Sequence, residues 1–83
     1  MQMDDETTLW RLPTVLSQTG RGRSSTYGDV SRGVMTRPIR IGPRSVGWPA
    51  GEVKAIMRAR IAGRSETELR ALVTELHASR MAA

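Results

Sequence analysis

The sequence predicts a mainly α-helical domain that carries one small β-hairpin. Two short helical patterns separated by a glycine turn come first, at residues 13–19 and 24–31. An alternating stretch with turn residues at its centre follows over residues 37–48, and two longer helical patterns fill residues 49–80. A two-stranded hairpin is not stable alone, so it must bury one face on these helices.

The length and composition limit the chain to one domain without covalent or metal cross-links. It has 83 residues, no cysteine and one histidine, which excludes a disulfide framework and a cysteine zinc site. We expect no cofactor and no metal. No apolar run reaches the roughly 20 residues that a bilayer span needs. The N-terminal residues are acidic and polar rather than basic and apolar, so we expect a cytoplasmic protein that is not exported.

Charge is concentrated in one block of the chain. Residues 1–8 hold three acidic groups and no basic one, which predicts a disordered acidic tail. Residues 9–48 hold seven arginines against the single acid Asp29. Twelve of the thirteen basic residues are arginine, whose planar guanidinium suits bidentate contacts with phosphate or guanine. The block therefore predicts a polyanionic partner.

The first two helical patterns predict a helix-turn-helix. Apolar residues recur at helical spacing after Pro13, which suits a first helical turn, and Gly20 is placed to end that helix. We expect residues 24–26 to cap the second helix and Gly33 to stop it. Gly28 weakens this helix by up to about 1 kcal/mol relative to alanine. In a helix-turn-helix, the second helix presents its N-terminal residues to the major groove.

Residues 37–48 predict a β-hairpin beside the helix-turn-helix. Residues 42–45 supply the turn, with Arg40 pointing outward and Arg44 at the tip. Arginine at a hairpin tip can enter the minor groove of DNA, where the potential is most negative. Such a hairpin is a wing, and the fold class is therefore a winged helix-turn-helix followed by C-terminal helices. Its predicted inward residues are Ile39, Ile41, Val46 and Trp48.

Two further helices complete the domain. Pro49 opens a helix that runs to about Ala62, and the capping box of residues 65–68 begins a helix that runs to about Arg80. The inward face of the first is predicted to be Val53, Ile56, Met57 and Ile61. The apolar stripe of the second, Leu69, Leu72, Val73 and Leu76, either folds back on the core or contacts another protomer.

We therefore divide the chain into three parts. Residues 1–8 are the acidic tail, residues 9–63 are the winged helix-turn-helix DNA-binding domain, and residues 64–83 are a C-terminal helix for packing or oligomer contact. We expect both tryptophans to fill the core, and Tyr27 to pack its ring while its hydroxyl meets phosphate or a base. His77 is expected to be a surface or oligomer-contact residue, and Arg64 and Arg80 are expected on solvated helix faces. Arg60 is expected to pair with Glu52 or to reach phosphate.

Several stretches resemble one family. The run IGPRSVGWP at residues 41–49 is the most specific, and RLPTVLSQTG at 11–20, SSTY at 24–27 and TRP at 36–38 accompany it. Together they resemble the AlpA-type phage regulatory proteins, which are MerR-like and excisionase-like winged helix-turn-helix proteins of prophages and integrative elements. The resemblance covers about residues 10–80. It implies a DNA-binding regulator that acts in transcription, as a recombination directionality factor (an excisionase), or as both.

The resemblance implies DNA contacts on matching positions, namely Arg23, Ser24, Ser25 and Tyr27 in the recognition helix and Arg40 and Arg44 in the wing. With the cationic and capping residues beside them, the full predicted DNA-binding set is Arg21, Arg23, Ser24, Ser25, Thr26, Tyr27, Arg37, Arg40 and Arg44. The predicted oligomer contact is Leu69, Leu72, Val73 and Leu76. We expect no catalytic residue.

The predicted partner is double-stranded DNA, at attachment-site or promoter repeats. Self-association on DNA is expected because one short helix and one wing bury little surface. An integrase is a candidate further partner, no membrane is involved, and the protein is expected to be nucleoid-associated. The alternative interpretation is a protein-interaction module, an antitoxin or adaptor, whose last helix binds a partner and whose basic charge is incidental. Saturable, sequence-dependent DNA binding distinguishes the two.

Overall fold

A computed structural model describes residues 7–82 and confirms a mainly helical domain with a small β component. The predicted acidic tail lies almost wholly outside the described residues. Its last residue, Thr8, belongs to the fold, because its carbonyl accepts a hydrogen bond of 2.8 Å from the Ala50 N–H. The elements are β1 (Leu9–Arg11), α1 (Leu12–Thr19), α2 (Arg23–Arg32), β2 (Ile39–Gly42), β3 (Ser45–Pro49), α3 (Ala50–Ile61) and α4 (Glu66–Ala82).

Helices α1 and α2 form the predicted helix-turn-helix. Each ends at a glycine in the left-handed region, with φ of 71° at Gly20 and 81° at Gly33. The predicted cap of α2 is wrong, because the helix begins earlier, at Arg23, with Gly22 as its N-cap and no side-chain cap. The hydroxyl of Thr26 instead donates to the Gly22 carbonyl at 2.9 Å, within the first turn.

The sheet contains one strand that the sequence did not predict. Strands β2 and β3 form the expected hairpin, and β1 pairs with the other edge of β3, so the antiparallel order is β1-β3-β2. Trp10 lies opposite Trp48 in the β1–β3 pair. Strand β1 has three residues and leads directly into α1, so its sequence pattern is too short to predict a strand. Its hydrogen bonds are made with β3, which lies far along the chain.

The predicted inward face of the hairpin is wrong for its two isoleucines. Ile39 lies opposite Gly47, and directly opposed residues share a face, so Ile39 lies on the face opposite to Trp48. Ile41 sits at an irregularity between Arg40 and Gly42 and is exposed. A Cβ atom at Gly47 would lie only 3.3 Å from Ile41 Cδ1 and 3.3 Å from the Trp10 carbonyl oxygen. The pairing register, which alternation alone does not reveal, decides these faces.

The core lies between the sheet and the helices. Trp48 is fully buried, as predicted, and its indole N–H donates to the Thr36 carbonyl at 2.8 Å. Trp10 is half-buried and packs on the same core. Ile61, predicted to face inward, is 82 % exposed. It lies five residues after buried Ile56, which is about 140° of helix rotation. The buried cluster is Val15, Met35, Trp48, Val53, Ile56 and Val73.

Helix α4 folds back on this core. Its predicted capping box is confirmed, since the Ser65 N–H donates to Glu68 Oε1 at 2.8 Å and the Glu68 N–H donates to Ser65 Oγ at 3.1 Å. Leu69 and Val73 are buried within the chain. Leu72 and Leu76 are partly buried against the same core. The apolar stripe of α4 therefore packs in cis.

The end of α4 is fastened by polar contacts that the sequence did not predict. Arg80, expected on a solvated face, donates to both oxygens of nearly buried Glu52, at 2.6 and 2.7 Å, and to the Arg37 carbonyl at 2.7 Å. His77, which is partly exposed, accepts a hydrogen bond of 3.1 Å at Nε2 from the Arg37 N–H. The backbone of Arg37 passes beside α4 and so contacts both side chains, whereas Glu52 on α3 supplies the ion pair of Arg80.

Candidate nucleic-acid interface

The N-terminus of α2 presents a small exposed polar surface. Arg23, Ser24 and Ser25 occupy the first turn, and all three are exposed. Gly22 supplies no side-chain acceptor, so the first-turn N–H groups and the positive end of the helix dipole are left for an external anion. These two serines and one arginine can donate to phosphate or to base edges.

Tyr27 joins this surface to the sheet. Its ring is half-buried and lies edge-on to Trp48, with ring centroids 5.9 Å apart and an interplanar angle of 63°. The guanidinium of Arg23 lies over the same Tyr27 ring, 5.9 Å from its centroid. Tyr27 therefore packs its ring, as expected, and ties α2 to the buried tryptophan.

Thr26 differs from its predicted role as a DNA contact. It is 3 % exposed, and its hydroxyl is already used by the Gly22 carbonyl. The reason is its position on α2, one turn before buried Asp29 and on the same inner face. The structure therefore removes Thr26 from the exposed set.

Arg21 lies beside this surface but is held by a carboxylate. Its Nε donates to Asp29 Oδ2 at 3.1 Å and its Nη2 donates to Asp29 Oδ1 at 2.9 Å. Arg32 and Arg60 also pair with Asp29, at 3.2 and 3.3 Å. The expected pairing of Arg60 with Glu52 is therefore wrong. Sequence reasoning missed this cluster, although Asp29 is conspicuous as the only acid among residues 9–48.

The wing carries two arginines that the rest of the described chain does not neutralise. Arg40 lies on β2, an edge strand, and Arg44 lies in the turn between β2 and β3; both are exposed. Within residues 7–82 neither guanidinium has an ion-pair or hydrogen-bond partner. The hairpin thus presents unpaired cations at its edge and tip, as the sequence predicted.

Arg37 stands apart from the other predicted contacts. Its backbone N–H and carbonyl are both bonded to α4, and its Nη1 lies 3.4 Å from His77 Nδ1. Burial lowers the pKa of His77, and the charges of Arg37 and Arg80 lower it further against the opposing effect of Glu52. A neutral ring accepting at Nε2 is consistent with this. Although its side chain is exposed, Arg37 helps fasten the segment between α2 and the wing to α4.

The candidate surface offers cations and hydroxyls. In the part of the chain that the structure describes, no group of three histidine, aspartate or glutamate residues is placed to hold a metal ion. No helix in residues 7–82 is long and apolar enough to cross a bilayer.

Comparison with known proteins identifies one family. The profile of a family described as Prophage CP4-57 regulatory protein (AlpA) matches residues 8–61. The match covers more than half of the chain and runs from the residue before β1 to the last residue of α3, so α4 lies outside it. No curated protein and no solved structure gives a significant match.

Proposed function

Because the chain belongs to the AlpA family of prophage regulatory proteins, which are DNA-binding regulators, we propose that it binds specific double-stranded DNA sites of a prophage or integrative element. In this proposal the protein is an accessory factor without catalysis of its own. The observation that carries it is the pairing of an open, polar N-terminus of α2 with a wing whose two arginines are unpaired. The Tyr27–Trp48 contact and the shared core hold α2 and the wing in place relative to each other.

The recognition helix supplies the sequence-reading part of the proposal. Arg23 suits bidentate contact with guanine O6 and N7, and Ser24 and Ser25 suit contacts with base edges or phosphate. The first-turn N–H groups add a phosphate contact that sets the register of the helix. Tyr27 lies one turn further along α2, and its ring contacts the guanidinium of Arg23. We propose that this end of α2 enters the major groove.

The wing supplies a second, shape-dependent contact. Arg40 and Arg44 are exposed on a hairpin that is narrow enough to approach a groove, and neither loses an internal ion pair on binding. A narrow minor groove concentrates negative potential, which attracts arginine. We propose that Arg44 enters the minor groove while Arg40 contacts the adjacent backbone.

The biological role proposed from these contacts is regulation of the element that encodes the protein. Bound at repeated attachment sites, the protein would bend DNA as a recombination directionality factor and favour excision by a separate integrase. Bound at promoter repeats, the same surface would regulate transcription.

Self-association on DNA remains part of the proposal. Leu69 and Val73 are buried within the chain, so among the predicted oligomer contacts only Leu72 and Leu76 keep accessible surface for a neighbouring copy. Leu72 lines an open groove of about 650 Å³ between α3 and α4. We place the contact with a neighbouring copy at this groove. The same burial argues against a protein-interaction module built on the apolar stripe, because that stripe already serves the core.

Selection from random DNA followed by quantitative binding tests the proposal. Purified protein is expected to enrich a defined motif from a random duplex pool, and the selected duplex is then titrated at physiological salt. Arg23→Ala and Arg44→Ala should each weaken binding by about 10-fold, which corresponds to the loss of one good contact. Arg11→Ala is the matched control, since Arg11 is exposed and lies on β1, at the edge of the sheet opposite β2 and outside the predicted contact set. Failure to enrich any motif, or unchanged binding by both variants, would contradict the proposal.

A further inference from the structure

Asp29 is a buried carboxylate surrounded by arginines from three parts of the fold. Its side chain is 4 % exposed. Arg21 comes from the turn before α2, Arg32 from the last turn of α2, and Arg60 from the last turn of α3. One carboxylate cannot neutralise three guanidinium groups, so the cluster keeps an excess of positive charge beside the recognition helix.

Arg21 binds the Asp29 carboxylate through two hydrogen bonds, one to each oxygen. Two of its five N–H donors are used, one on Nε and one on Nη2, at 3.1 and 2.9 Å. Both bonds lie along one edge of the guanidinium, and no acceptor among residues 7–82 binds its Nη1 edge. The side chain is still 40 % exposed. Arg21 is therefore held in one orientation while part of its hydrogen-bonding capacity faces solvent.

We propose that Asp29 is a positioning residue for DNA binding, which orients Arg21 so that its free N–H groups meet a DNA phosphate beside the N-terminus of α2. This inference rests on the proposed function. Asp29 does not touch DNA, because it is buried and negatively charged. It acts by ordering a long side chain before DNA arrives, so that less rotamer freedom is lost on binding.

The other two arginines secure the carboxylate itself. Arg60 ties Asp29 to α3 at 3.3 Å, and Arg32 reaches both Asp29 and Glu66, at 3.2 and 3.3 Å. The carboxylate therefore has a fixed place relative to three helices. Because Arg32 and Arg60 neutralise Asp29 as well, Arg21 is not needed to compensate its charge.

Binding to a labelled 20-bp duplex of random sequence, measured over a range of salt concentrations, tests this role. Phosphate contacts do not depend on sequence, so the probe needs no known operator. Arg21→Ala should weaken binding by roughly 10-fold and reduce the salt slope by about 0.9, the value for one phosphate contact. Arg21→Lys keeps the charge but cannot bind both oxygens of Asp29 in the same way, and should weaken DNA binding by about 3-fold. Arg11→Ala, which also removes one exposed cation, is the control.

Asp29→Asn separates positioning from charge. Removing an acid makes the protein more positive, so a charge effect alone predicts tighter binding to DNA. Positioning predicts weaker binding, by about 3-fold, and predicts that this loss disappears when Arg21 is already alanine. Circular dichroism checks that each variant is folded. If Asp29→Asn does not fold, the comparison of Arg21→Lys with the wild type decides.

Three results would overturn the inference. These are unchanged binding by Arg21→Ala, wild-type binding by Arg21→Lys, and tighter binding by a folded Asp29→Asn. Failure of the proposed function looks different, because the wild-type protein would then bind no duplex, or Arg23→Ala and Arg44→Ala would leave binding unchanged. The two failures are therefore distinguishable in one set of titrations.

Discussion

At the scale of single residues, arginine has two opposite uses in this chain. Arg23, Arg40 and Arg44 are exposed and have no carboxylate partner among the described residues. Arg21 and Arg80 instead grip the buried carboxylates Asp29 and Glu52. A buried acid without a cation is costly, so Arg80 stabilises the fold, whereas Arg21 shares Asp29 with Arg32 and Arg60 and remains partly exposed. Residue type alone cannot distinguish the two uses, because they differ in whether a carboxylate lies beside the guanidinium in the folded chain.

His77 gives a pH dependence at the same scale. Its pKa is lowered, chiefly by burial and then by Arg37 and Arg80, from an ordinary value of 6.5. Because the unfolded chain then binds the proton more tightly than the folded chain, stability is undiminished above pH 6.5 and falls as the pH drops below it, until the lowered pKa is passed. We expect the melting temperature to fall between about pH 7 and about pH 5.

The variant His77→Gln checks this assignment. Its amide oxygen can still accept from the Arg37 N–H and does not titrate, so the loss of stability in this window should be reduced. Glu68 does not interfere, because its pKa is lowered below 4.5, chiefly by the Ser65 N–H bond, and its contribution is lost only at more acidic pH. An equal loss in wild type and variant would assign the pH dependence to another group.

At the scale of elements, α2 is a weak helix that its surroundings support. It contains Gly28 in its interior, and among its residues only Tyr27 and Val30 are apolar side chains packed against the core. Glycine loses more backbone freedom on folding than alanine does. The helix nevertheless forms, because Tyr27 contacts Trp48 and Asp29 binds cations from the preceding turn and from α3.

Gly28→Ala should therefore stabilise the protein. A Cβ atom there meets nothing within 4 Å outside its own helix, so the change costs no packing. We expect the free energy of unfolding in urea to rise by about 0.5–1 kcal/mol. Gly33→Ala is the contrasting control, since φ is +81° there and alanine is strained. That variant should lose about 1 kcal/mol, and a gain in it would refute the argument.

The sheet shows the limit of element-scale prediction. The hairpin of β2 and β3 follows from alternation and turn residues close together in sequence. Strand β1 does not, because its hydrogen bonds come from β3, far along the chain. The face occupied by Ile39 and Ile41 likewise depends on register, which a one-residue slip would invert.

At the scale of the whole molecule, α4 belongs to the core although the family match ends before it. Leu69 and Val73 are buried, and Arg80 joins α4 to Glu52 on α3 and to the backbone of Arg37. The α2–β2 connection is thus held by the last helix. The winged helix-turn-helix and the C-terminal helix share one core, rather than lying side by side as separate units.

Removing α4 should therefore unfold the rest. A fragment of residues 1–63 would expose the face of α3 that α4 covers and leave Glu52 without its cation. We expect this fragment to lack the cooperative thermal transition of the full chain, measured by circular dichroism. A chain lacking residues 1–6 is the control and should keep the transition. A cooperative transition in the 1–63 fragment would show that the winged domain folds alone.

The helices, the glycine stops, the capping box at Ser65, the hairpin and the basic character of the surface could all be predicted from the sequence. All of these arise from residues that are neighbours in the chain, whose spacing encodes them. Long-range packing, by contrast, brings Arg21 to Asp29 and Arg80 to Glu52, turns Thr26 and the apolar stripe of α4 inward, and leaves Ile61 exposed. Those outcomes depend on which distant segments meet, and packing fixes that rather than local pattern.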